Sequence, residues 1–174
     1  SKNILFDPVF SRRVSPFSFV GPQRRIPLVI EISDLPRIDY VFISHNHYDH
    51  LDMSTLKKLQ AYNSDIVFNV PLGDKKLLTS NSLNNVNEFN WWESVNFTDL
   101  SVIFIPAKHW SARGFFDRNK SLWGGWVTKF NEISFLHIGD TAYDKDFISY
   151  KEKIGDIDIG FIPIGSYYPA EIES

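Results

Sequence analysis

Residues 45–50 read His-Asn-His-Tyr-Asp-His, which packs His45, His47, Asp49 and His50 into half a dozen positions. Imidazole nitrogens and carboxylate oxygens are the donors that zinc and similar divalent ions take. The cluster directly follows the apolar run Tyr40-Val41-Phe42-Ile43, so a strand delivers it into a loop. Isolated histidines usually belong to solvated loops, but donors this dense predict a metal centre. Asp49 and His50 are adjacent and are expected to diverge. That favours two metal positions, with His45 and His47 at one and Asp49 and His50 at the other.

Two further donors share this placement. His109 follows the strand-like run 100–105, and Asp140 follows the run 133–138. Either alone reads as an ordinary polar residue after a strand. Together with the first cluster they point to one site, and a carboxylate such as Asp140 can bridge two cations. His137 lies inside the run 133–138 and reads as a buried or half-buried strand histidine, not as a ligand.

The elements that must hold these groups are mostly strands. Runs rich in Val, Ile, Phe and Trp occur at 3–6, 39–44, 66–70, 100–105, 123–130, 133–138 and 157–162. Runs 100–105 and 133–136 have too little polar alternation for a sheet with one wet face, so a sheet covered on both sides is expected. Helical spacing appears at 51–61, 73–80 and 144–154, with Gly155 as a stop. Residues 11–38 read as a long irregular loop with one short strand, and the asparagine-rich 81–90 as a turn region.

Composition narrows the chemistry. The 174 residues suggest one domain spanning 1–174. Apolar residues make up 43% and aromatics 16%, enough for a packed core. A net charge of -3 gives no argument for a nucleic-acid partner. The absence of cysteine excludes disulfides, thiolate zinc sites and cysteine nucleophiles. Any metal is therefore held by His, Asp and Glu, as in an open catalytic site. No apolar stretch reaches the ~18 residues of a membrane-spanning helix. Asn3-Ile4-Leu5-Phe6 opens as a strand already in progress and the chain stops abruptly, so a piece of a longer protein is expected.

At this point the chain resembles the metallo-β-lactamase superfamily, whose mark is His-x-His-x-Asp-His followed by a distant His and a distant Asp. Further strings are similar to one branch. They include Asp7-Pro8-Val9-Phe10, Trp91-Trp92-Glu93, Pro106-Ala107-Lys108-His109-Trp110, Asn119-Lys120-Ser121-Leu122-Trp123-Gly124-Gly125-Trp126, Gly139-Asp140-Thr141 and Ile162-Pro163-Ile164-Gly165-Ser166-Tyr167. That branch is the N-acyl-phosphatidylethanolamine-hydrolysing phospholipase D group with its bacterial relatives. The resemblance implies an α/β (α+β) fold, a four-layer αββα sandwich incomplete in this chain. It implies that His45, His47 and His109 bind one zinc, that Asp49 and His50 bind a second, and that Asp140 bridges both. The family's late histidine has no counterpart after His137, so the second site lacks its last ligand here.

The implied activity is hydrolysis of a lipid phosphodiester by a hydroxide generated between two metals, with Asp49 and Asp140 as the catalytic carboxylates. A lactonase or other ester hydrolase on the same fold is the alternative enzyme, and a non-catalytic metal- or lipid-binding module the alternative class. Asp7 reads either as a carboxylate orienting a ligand histidine or as a turn residue before Pro8. Residues 110–126 mix Phe115, Phe116 and Trp123 with Arg113, Arg118 and Lys120. That mixture suits phosphate and acyl chains and predicts peripheral membrane contact, whereas Trp126 is expected in the core. The expected location is cytoplasmic or peripheral to a membrane.

Overall fold

The computed structural model describes residues 2–17, 19–145 and 147–165. The Ser166-Tyr167 end of one matched string lies outside them. Two sheets carry the molecule. The first joins β1 (Ile4–Phe6), β2 (Tyr40–Phe42), β3 (Val67–Pro71) and β4 (Val86–Phe89), each neighbour parallel to the next. Parallel pairing requires crossovers. Helices α1 (Met53–Tyr62) and α2 (Lys75–Ser80) supply them between β2 and β3 and between β3 and β4.

The second sheet holds β5 (Ser94–Phe97), β6 (Leu100–Ile105), β7 (Gly125–Phe130) and β8 (Ile133–His137) as an antiparallel meander. Chain then crosses through α3 (Phe147–Ile154) to β9 (Ile159–Phe161), which joins β8 in parallel.

Strand alternation sorts the apolar side chains into three cores. Val41, Ile43, Phe68 and Val70 face Leu56 and Leu59 of α1 and Leu78 of α2. Phe42 and Phe89 of the first sheet meet Leu100, Val102, Phe104 and Trp126 of the second. Ile105, Val127 and Ile138 pack with Tyr150 and Ile154 of α3. Three cores separate four layers, so the expected αββα stacking is present. The run 100–105 has buried residues on both faces, and Trp126 is fully buried between the sheets, both as expected.

Two strands depart from the expectation. The region 81–90 is not all turn, because Val86–Phe89 forms β4 beside β3. Val86 and Phe89 are buried, while Asn87 and Glu88 between them disguise the run as polar. Left-handed residues at Ser82 and Asn85 do make the expected turn just before it. Ser94–Phe97 is a strand of modest apolarity that lies at the edge of its sheet among the described residues and pairs with β6. In the 11–38 loop, an Arg13–Gln23 bridge and a 3-10 turn at Ile32–Asp34 stand among the described residues where one short strand was expected.

Candidate metal centre

The ligand loop leaves β2 at Ile43 and is gripped by both sheets. The Trp126 indole donates to the Ile43 carbonyl at 2.9 Å, and the Gly124 amide donates to the Ser44 carbonyl at 3.0 Å. The loop then coils tightly, with the His50 and Leu51 amides both donating to the His47 carbonyl. Asp52 ends it by capping α1 through the amides of Ser54 and Thr55. Arg113 closes the loop from outside. Its Nη1 donates to the carbonyls of Asn46 and Leu51, each at 2.9 Å, and its guanidinium lies over the Tyr48 ring. Arg113 therefore serves the ligand loop and is not displayed to a phosphate, contrary to the expectation for that cation. Its environment, not its residue type, decides this, so the sequence carries no signal for it.

The predicted donors converge. His45 Nε2 lies 2.8 Å from His47 Nδ1, and His109 Nε2 lies 3.3 Å from the same atom. Asp140 Oδ2 stands 4.0 Å from His45 Nε2, 3.8 Å from His109 Nε2 and 3.2 Å from His50 Nε2. Two groups of possible ligands result, His45-His47-His109 and His45-His50-Asp140. His45 thus borders both, instead of serving with His47 alone. Asp49 does not diverge fully from His50, since its Oδ2 comes within 4.0 Å of His50 Nε2. It stands at the rim, with its side chain 58% exposed.

The loops bearing His109 and Asp140 are tied to each other. The Lys108 amide donates to Thr141 Oγ1 at 2.9 Å, and the Ala142 amide donates to the Lys108 carbonyl at 2.9 Å. Gly139 brings Asp140 to the ligand loop. Its φ is +68°, and an added Cβ would sit 2.6 Å from Ser44 Cβ. Only glycine fits that close approach in a left-handed backbone.

Asp7 organises the far side. Its Oδ1 accepts from the Ser44 amide at 2.7 Å. Its Oδ2 accepts from Ser44 Oγ at 2.6 Å and sits 2.8 Å from His50 Nδ1 and 2.9 Å from His137 Nε2. Ser44 has one proton and gives it to Asp7, so its oxygen must accept from His45 Nδ1–H at 2.9 Å. That fixes the tautomer of His45 and leaves the Nε2 lone pair facing the other donors. Asp7 therefore orients ligand-type histidines and is more than a turn residue. His137 is the half-buried strand histidine expected. Its ring stacks on Phe6 and its polar end goes to Asp7.

Electrostatics separate the rings. Burial pushes His45 down to about 2 and His109 to about 4, and lowers His47 as well. These three rings are held neutral, the state in which imidazole donates a lone pair to a metal. Burial opposes charge on His50 too, but hydrogen bonds to Asp140 and Asp7 outweigh it and raise the ring to about 11. Burial would also raise Asp7 and Asp140. The His137 and His50 contacts instead drive Asp7 far below the usual carboxylate range, and His50 holds Asp140 at about 2. The two carboxylates that flank His50 therefore favour a positive charge between them, a proton on the ring when no metal is bound. The three neutral nitrogens of His45, His47 and His109, with the Asp140 carboxylate beside them, are a donor set that fits a divalent cation.

Comparison with known proteins follows the same lines. Residues 2–173 match the beta-lactamase superfamily domain. The chain is 39% identical over 173 residues to N-acyl-phosphatidylethanolamine-hydrolyzing phospholipase D 1 of Caenorhabditis elegans, a match covering 94% of this chain and 49% of that protein. It is 37% identical over 173 residues to the mitochondrial N-acyl-phosphatidylethanolamine-hydrolyzing phospholipase D of Saccharomyces cerevisiae, covering 95% and 36%. Among solved structures, CmlA, a diiron beta-hydroxylase from Streptomyces venezuelae, superposes with a TM-score of 0.63 at 26% identity, over 90% of this chain and 30% of that one. The chain spans about half the length, or less, of the curated relatives it matches.

Proposed function

The chain belongs to the beta-lactamase superfamily domain, and from that premise we propose that it carries most of a two-metal hydrolase centre for the phosphodiester of an N-acyl-phosphatidylethanolamine-type lipid. The observation that carries the metal reading is the position of Asp140. One oxygen of this carboxylate reaches both donor groups. His45, His47 and His109 would hold the first ion, His50 and Asp49 the second, and Asp140 both. Zinc suits the histidine-rich donors. Bound ions would supply Lewis-acid charge and lower the pKa of a water between them.

The protein's own groups do the rest. Asp7 and Ser44 keep His45 and His50 turned toward the centre. Asp49, at the wet rim, is placed to orient a water or take its proton. The lipid reading rests on the names of the two phospholipase D relatives and on the surface beside the site. Phe115 is 100% exposed and Phe116 89%. Arg118 lies over Trp110, whose ring packs on His47. Aromatic and cationic side chains on one loop suit a lipid headgroup boundary. Among the described residues, no helix is long and apolar enough to cross a membrane.

The test is release of phosphatidic acid from N-acylated phosphatidylethanolamine by the zinc-loaded full-length protein, run beside lactone and nucleotide substrates. Turnover of the lipid, lost on chelation, is expected. Turnover of a lactone alone would replace the substrate claim, and no lipid cleavage by zinc-replete enzyme would refute it.

A further inference from the structure

Asp74 is the N-cap of helix α2, a residue type that ordinarily caps a helix with its own carboxylate. Here it does not. Glu88 of β4 takes that role, its Oε1 accepting from the amides of Gly73 at 2.7 Å and Lys75 at 3.0 Å. The Asp74 side chain turns inward and is 1% exposed. Its Oδ1 accepts from Asn46 Nδ2 at 2.9 Å and from Ser121 Oγ at 2.7 Å. Gly73 makes this possible. It has a φ of +104°, and an added Cβ would lie 2.7 Å from Ser121 Cα, so glycine lets the Ser121 segment close onto the start of α2.

The pair is incomplete as two acceptors. Asp74 Oδ2 and Asn46 Oδ1 are both buried, and neither has a hydrogen-bond partner among the described residues. A lone buried acceptor is costly, and each of these two calls for a donor. One proton on Asp74 would supply a donor between them. A carboxylic acid and a carboxamide bond reciprocally, amide N–H to one acid oxygen and acid O–H to the amide oxygen. Asn46 is the residue between His45 and His47.

We propose that Asp74 is a positioning residue of the metal centre, pairing as a neutral carboxylic acid with the Asn46 amide and so fixing the spacing of His45 and His47. The surroundings move Asp74 toward the neutral form. Burial is the largest influence and moves Asp74 up to about 6 against the bonds from Ser121 and Asn46. Of the charged groups that face it, Glu88 pushes the same way and the Arg113 guanidinium opposes. The acid–amide bond exists only in the neutral state and pushes further upward. The inference rests on the metal-centre reading and on no particular substrate.

The experiment is zinc affinity of the full chain by chelator competition at neutral pH. Asp74→Asn reproduces the acid, since its amide can donate to Asn46 Oδ1 while its oxygen accepts from Asn46 and Ser121. It should bind zinc as the native chain does. Asp74→Ala should lose about 10-fold or more, the scale on which groups behind metal ligands act. The Asn46→Ala/Asp74→Ala double variant should be no weaker than Asn46→Ala alone, because the two residues act as one joint. An equal loss in Asp74→Asn and Asp74→Ala overturns the neutral pair, and additive losses overturn the joint. Asp74→Asn carries the test should the alanine variant fail to fold. A native chain that binds no zinc overturns the metal-centre reading itself, and this inference with it.

Discussion

Asp7 and His50 lie 43 positions apart, yet the Asp7 carboxylate holds the His50 ring by a 2.8 Å contact to Nδ1. The same oxygen receives Ser44 and His137, so one buried group sets the orientation of two ligand-type histidines and braces a strand. Asp7→Ala should therefore release His50 and free the tautomer of His45. A fall in zinc affinity of about 10–100-fold is expected, read by chelator competition. Affinity within experimental error of the native value would show that these contacts of Asp7 do not act on metal binding.

Two histidines should behave in opposite ways. His109→Ala removes one of three converging nitrogens, and elemental analysis should show sharply reduced bound zinc. His137→Ala removes a neighbour of Asp7 and no donor, and should leave zinc stoichiometry intact. Loss of metal in the second variant, or none in the first, would exchange their roles.

Much of this site could be read from the order of residues, for a physical reason. His45, His109 and Asp140 each fall just past a strong apolar run, and strand ends point their loops at one edge of the sandwich. The lack of polar alternation in Leu100-Ser101-Val102-Ile103-Phe104-Ile105 likewise announces a strand covered on both faces. What stayed hidden depends on partners distant in the chain. Val86–Phe89 is a strand because β3 lies beside it, although Asn87 and Glu88 look like loop. Arg113 resembles Arg118 in sequence context, but one is tied to the carbonyls of Asn46 and Leu51 and the other is exposed over Trp110. Nothing near Asp74 in sequence announces that it abandons its helix for Asn46.

Acid and alkali should each destabilise the metal-stripped chain. His45 at about 2 and His109 at about 4 lie below the ordinary 6.5. The unfolded chain binds protons that the folded one refuses, so stability falls as pH drops below 6.5. His50 is the opposite case. Raised to about 11, its contribution is complete below 6.5 and is lost as pH climbs toward 11. Urea midpoints with chelator present should peak at roughly pH 6.5. Zinc should flatten the alkaline side by occupying the His50 lone pair. A chelated protein that keeps gaining stability from neutral to alkaline pH would contradict this account.

Phe115 and Phe116 offer a separate test of the surface. Changing both to serine should weaken sedimentation with anionic phosphatidylserine-containing vesicles and slow cleavage of vesicle-embedded substrate. Cleavage of a dispersed short-chain phosphodiester should be unchanged. Equal loss on both substrates would place the two rings in the catalytic fold instead of at a lipid boundary.

The donors come from both sheets, His45, His47 and His50 from the loop after β2, and His109 and Asp140 from loops after β6 and β8. The chain has no cysteine with which to staple these halves. An ion gripped at this edge would be the cross-link, closing a loop from residue 45 to residue 140 in one stroke. Clips over long loops restrict the unfolded chain most. Chelation would then act like cutting a seam. The opening would spread along the shared edge of the sandwich, and rising protease sensitivity between the two sheets would report the ion's departure.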